Sequence, residues 1–275
     1  MNNSSSPSPR LVALLPLLLL VALFSGGCKT LDGNKTPSQA GALANVHKVY
    51  QEEFLAIALP RPSEQPSGAT NEQAFQRTIS AINAYKEKHG EDSVEAPHLT
   101  VLEGMAYLQS GQIGRARLML DDVKQAAPKL RSGDGSHTRD ELLARAFEPL
   151  LMGWEQIRNA APGSDVNPSS AKFKQAADGI EATLAGFDAR RLKAPEVDAG
   201  AKYLATTSAI FRVWYGSLQP RQETAAYQQG AALIGRYLTA DEKRAAEAGN
   251  VAQLAPAQQR FAAWYRFLRT RPSGT

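Results

Sequence analysis

The chain has one cysteine in 275 residues, Cys28, so an internal disulfide is excluded. Histidine is scarce as well. His47, His89, His98 and His137 are the four, and no two stand three or four residues apart. That spacing excludes a local His-x-x-x-His metal motif, and there is no Cys/His cluster. The reading this supports is that each histidine is a surface or helix-end residue and that no metal or other cofactor is bound. The chain also lacks a Walker A sequence, a G-x-S-x-G elbow and a G-x-G-x-x-G turn, so the commonest nucleotide and acyl-transfer sites are not spelled out. Neither sign of charge dominates: 31 Lys and Arg stand against 27 Asp and Glu. A net +4 spread along the chain argues against a nucleic-acid partner, which needs a concentrated basic face. No strand-like run of alternating apolar residues occurs after residue 38.

Long apolar runs are nearly absent too. The one exception is Leu11–Phe24, 14 residues long. A bilayer span needs about 20 residues, so this run has the length of the apolar region of a secretory signal. Arg10 precedes it, and Ser25-Gly26-Gly27-Cys28 follows. The arrangement resembles the bacterial lipoprotein signal, with Ser25 where that family usually has Leu. The resemblance implies cleavage before Cys28, a diacylglyceryl group on its sulfur and an acylated new amino terminus. Lys29 implies sorting to the outer membrane, on the periplasmic face. Residues 1–27 are then the signal peptide, and 28–38 are the lipidated cysteine with a polar, flexible tether.

From residue 39 on, the apolar residues recur at spacings of three and four, which predicts an all-α chain. Leu43, Val46, Tyr50, Phe54 and Ile57 form the first stripe, with Ser38 as its cap. A proline-rich loop at 60–70 precedes a helix predicted from Asn71 to about His89. Thr138 and Glu141 suggest a capping box for a later helix, which Pro149 should kink or divide. The break at 161–170 separates a 39–160 region from a second helical region, 171–270, read as continuous with the first. In that second region helices are predicted over 171–187, 195–215, 223–238, 241–248 and 256–268.

The stretch Pro97–Pro128 is the most legible. Leu99, Leu102, Ala106 and Tyr107 make one stripe, and Ile113, Ala116, Leu120 and Val123 make a second beyond the Ser110-Gly111 turn. Gly104 and Ala116 leave room for two helices to approach closely. Gly104-x2-Tyr107, Ala116-x3-Leu120 and Pro128 stand at the spacings of the tetratricopeptide repeat, which this stretch resembles. Thr100 and Glu103 depart from that pattern. The resemblance implies antiparallel hairpins stacked as a repeat array or an irregular α-solenoid, with the first helix of each pair lining a groove. His98, Val101, Met105, Leu108 and Gln109 would then face a partner, unless they simply pack on a neighbouring helix.

The function these features suggest is a non-catalytic, lipid-anchored periplasmic scaffold that binds a protein partner through its helical surface. Two alternatives stand beside it. One is a periplasmic binding protein for an apolar ligand, associated with a transport system. The other is a cell-wall-active enzyme whose carboxylate pair forms only in the fold. At the C-terminal end no acid follows Glu247, while Arg260, Arg266, Arg269 and Arg271 do. That end suggests either a contact with anionic lipid or an acidic partner, or a terminal helix with its aromatic side turned inward.

Overall fold

Proline and glycine punctuate this chain, and most of its helices begin or end on them. The computed structural model describes residues 37–59, 62, 73–91, 93–130, 133, 135–187 and 194–271. Among these residues the protein is all-α, with no strand. The signal segment, Cys28 and the tether lie outside the described residues. The helices are α1 (Pro37–Ile57), α2 (Gln76–His89), α3 (Ala96–Gln109), α4 (Ile113–Leu118), α5 (Leu120–Ala126), α6 (Gly135–Asn159), α7 (Ser170–Ala185), α8 (Pro195–Ser217), α9 (Glu223–Tyr237), α10 (Ala240–Ala248) and α11 (Pro256–Thr270). Pro97, Pro195 and Pro256 each occupy a first turn, where the missing N–H has no helical partner to lose. Gly111 and Gly249 follow α3 and α10 with φ of 76° and 80°, the left-handed region that ends a helix cheaply in glycine. Thr239 and Glu242 form a capping box at the start of α10.

Four local expectations are corrected. The second helix begins at Gln76, not near Asn71, because Phe75 takes a left-handed backbone (φ 60°) that its fully buried ring compensates. The helix after Gly111 is broken at Met119 into α4 and α5. Thr138 does not cap α6: the helix begins at Gly135, and Thr138 is buried inside it. Nor does Pro149 divide α6, which runs through it. The proline ring instead packs against Gly179 of α7, where an added Cβ would come 3.0 Å from it.

The helices form an array in which chain neighbours pack on one another. α3 packs on α4, α5 and α6; α6 on α7 and α8; α8 on α7 and α9; α11 on α9 and α10. The close approach around α3 needs Gly104, since a Cβ there would stand 3.0 Å from Val123 and 3.1 Å from Phe147. One apolar core runs from Leu43 through to Leu268, and α8 is buried along most of its length. Residues Ser38–Thr275 form one compact unit, inside which 161–170 links α6 to α7. The C-terminal helix turns Phe261, Trp264, Tyr265 and Leu268 inward. Its arginines are partly used within the fold: Arg260 donates to the Leu59 carbonyl, Arg266 to the Gly249 carbonyl at 3.2 Å, and Arg269 to Glu247. Among the described residues no helix is long and apolar enough to cross a membrane.

Candidate metal centre

Three helices bring polar side chains to one buried place. α1 supplies His47, Tyr50 and Gln51, which share a face at spacings of three and four. The start of α3 supplies Glu95 and His98, three residues apart. The first turns of α6 supply His137, Arg139 and Asp140. The site is buried: His98, Arg139 and Asp140 have no exposed surface, Glu95 keeps 2% and His47 8%. His137 is more open than these, with 14% of its side chain exposed. The expectation that each histidine is a surface or helix-end residue therefore fails for His47, which is buried midway along α1; His98 does stand at a helix end, in the first turn of α3, but is buried there. His89 stands apart, its ring 4.8 Å from that of Tyr85.

Glu95, His98 and His137 each offer a ligand atom, and those atoms all lie within 4.8 Å of one another. Bonds of about 2.1 Å in a tetrahedral shell put ligand atoms about 3.4 Å apart, so small side-chain rotations suffice to close the three on one ion. The His98 and His137 rings are 4.3 Å apart, and His137 Nε2 is 3.3 Å from Glu95 Oε2. His98 Nδ1 is 3.0 Å from Asp140 Oδ2. That contact fixes the ring in the carboxylate–histidine arrangement that orients metal-binding imidazoles.

Arg139 and Asp140 support this set from behind. Arg139 donates to Asp140 Oδ1 at 3.1 Å and to Gln51 Oε1 at 2.6 Å, and its guanidinium lies 4.7 Å from the centre of the Tyr50 ring. Burial alone would raise the Asp140 carboxyl, but His47, Arg139 and His98 around it hold it below the usual carboxylate range. Desolvation pushes His47 down to about 4, so its imidazole is neutral at pH 7. Arg139 Nη2 donates to His47 Nδ1 at 3.3 Å, which leaves the proton of the neutral ring on Nε2. This buried Nε2–H has no partner among the described residues, although its ring lies 5.5 Å from that of His137. An orphaned donor beside two imidazoles and a carboxylate fits a site that takes a further group.

The five residues expected to face a groove lie elsewhere. His98, Val101 and Met105 are fully buried, and Leu108 keeps 2% of its surface. Gln109 is half-buried and accepts a hydrogen bond from Tyr50 at 3.1 Å. α3 is covered by α4, α5 and α6, so the face that would line a groove in a single stacked layer is here core. Of the five, only His98 belongs to the polar site. Glu95, His137, His47, Asp140 and Arg139 were not singled out by the sequence. The signal that could have found them is a pair of three-residue spacings, Glu95-x-x-His98 and His137-x-x-Asp140, each of which sets two donors on one helical face.

Comparison with protein families, curated proteins and solved structures finds no match to this chain.

Proposed function

We propose that the protein is a membrane-tethered helical domain that holds one divalent first-row transition metal through Glu95, His98 and His137. The observation that carries this is the convergence of a carboxylate and two imidazoles in a buried pocket, with one imidazole oriented by Asp140. Two nitrogens and one oxygen suit zinc or ferrous iron, and they are a poor set for calcium or magnesium, which want oxygen shells. The metal would fasten the start of α3 to the start of α6. The tether rests on the apolar run and the Ser25–Cys28 sequence, read as a lipoprotein signal with delivery to the periplasmic face of the outer membrane. The hairpin about Gly104 keeps its reading as a tetratricopeptide-like unit within the array. A protein-binding scaffold remains compatible with the tether, but it would have to use faces other than the buried His98–Gln109 row.

The test is titration of the chelator-stripped full chain with Zn²⁺, with Ca²⁺ as the control. One Zn²⁺ per chain is expected, and Glu95→Gln or His137→Gln should weaken it about 100-fold or more. Circular dichroism checks that each variant is folded. Sub-stoichiometric zinc, or affinity unchanged in both folded variants, would end the metal reading. The tether is tested separately by labelled palmitate in a bacterial host: incorporation should occur and vanish in Cys28→Ser.

A further inference from the structure

A second site stands apart from the histidine cluster, at the far end of the chain. A groove of about 570 Å³ opens between α9, α10 and α11, a size that accepts a small organic ligand. Its floor is made of small side chains, Ala231, Ala232 and Gly235, on one face of α9. Gly235 is required there, because the Tyr265 ring lies against it, 3.1 Å from where a Cβ would be. Around this floor stand Arg236, Lys243, Arg269 and Arg271, and no carboxylate is among the lining residues. Like charges gathered round an open groove repel one another, so the arrangement is costly without an anion.

Two of the four cations are held in place by aromatic rings. The Arg271 guanidinium lies 5.7 Å from the centre of the Tyr227 ring and 5.1 Å from that of Phe267. Arg269 lies 5.5 Å from the Tyr265 ring, and its charge is already shared with Glu247. Arg236, Lys243 and Arg271 have no ion-pair partner among the described residues. Stacked guanidinium groups are pre-organised forks, which suit the tetrahedral oxygens of a phosphate better than a single carboxylate. The tyrosine and alanine surfaces beside them would take the uncharged part of the ligand.

We infer that the α9–α11 groove binds a phosphate monoester or diester with a small organic substituent, either a free phosphate ester or the headgroup of an anionic phospholipid. The inference is independent of the metal centre, which involves none of these residues. The full chain in neutral detergent, dialysed free of metal, is titrated calorimetrically with glycerol 3-phosphate and with dihexanoyl phosphatidylglycerol. Dihexanoyl phosphatidylcholine is the control for acyl-chain binding. Saturable binding of at least one anionic probe is expected, and Arg236→Gln with Arg271→Gln should weaken it about tenfold or more. Both residues are exposed, so the double variant should fold, and circular dichroism checks that. Much tighter binding of the lipid probe identifies a headgroup as the source, and equal binding identifies a free ester. The inference is overturned if neither anion saturates, if the double variant binds as the parent does, or if the phosphatidylcholine probe binds equally well.

Discussion

Arg139 is the largest side chain buried without exposed surface among the described residues, and its surroundings explain how that is tolerated. Its guanidinium has Gln51, His47 and Asp140 as partners and the Tyr50 ring beneath it. A buried ion pair adds little over an apolar pair of the same shape, but removing one partner strands a charge. Asp140→Asn should therefore destabilise the metal-free protein by about 3–5 kcal/mol, while the double change Arg139→Met/Asp140→Leu should cost far less. Urea unfolding of both variants in chelator measures this, and a single-variant loss under about 1 kcal/mol would show that the pair does not secure α6 against α1. This cluster was the least legible part of the chain. Its members stand at 47, 95, 98, 137 and 140, and only the fold removes the intervals between them. A search for two histidines in one helical turn could not find histidines contributed singly by three helices. A buried histidine and an exposed one also look the same in a short window.

At the scale of elements, helix existence was legible and helix continuity was not. Pro97, Pro195, Pro256 and Gly111 act through their own backbone chemistry, so their effect is local and readable. The break at Met119, the late start at Gln76 and the passage of α6 through Pro149 depend on what packs alongside, which no window contains. Leu118, 81% exposed beside the break, illustrates the point: it stands off the stripe that Ile113 and Ala116 bury, and nothing in the structure explains a leucine there. Glycine gives the sharpest test of element packing. Gly153 of α6 sits under the fully buried Phe211 of α8, and a methyl group there would run into that ring. Gly41 of α1 has nothing within 4 Å of an added Cβ. Replacing glycine by alanine inside a helix gains about 0.5–1 kcal/mol from backbone entropy alone. Gly41→Ala should show that gain, whereas Gly153→Ala should lose about 1–3 kcal/mol to overpacking in spite of it. Thermal unfolding of the two variants, read side by side, decides it, and a stabilised Gly153→Ala would mean that Phe211 of α8 does not press on Gly153 of α6.

For the molecule as a whole, α8 is the spine: it packs on α6, α7, α9 and α11, and its first turns reach α10 through Lys202. The lysine keeps 5% of its side-chain surface and bonds Glu242 at 2.9 Å and Asp198 at 2.9 Å. Glu242 is itself fully buried and also receives the Thr239 backbone N–H at 2.7 Å, so one carboxylate both caps α10 and joins it to the spine. Desolvation alone would lower the lysine, but the hydrogen bonds it donates to Asp198 and Glu242 outweigh it and hold its pKa above the ordinary value. A raised folded-state pKa means that the folded chain keeps this proton more tightly than the unfolded chain does. The stability this confers is complete below the free-lysine value of about 10.4 and is lost as pH rises through the higher folded value. The buried tyrosines also lose stability in alkali, so total stability cannot isolate the lysine; the comparison with Lys202→Met can. At pH 8 the parent should be the more stable, since the variant strands Glu242 in an apolar setting. Above the free-lysine value of about 10.4 that advantage should shrink, because the parent sheds the same charge the variant already lacks. Urea midpoints at pH 8, 10 and 11.5 follow the difference, and a constant gap would mean that the ion pair is not what couples α10 to the rest of the array.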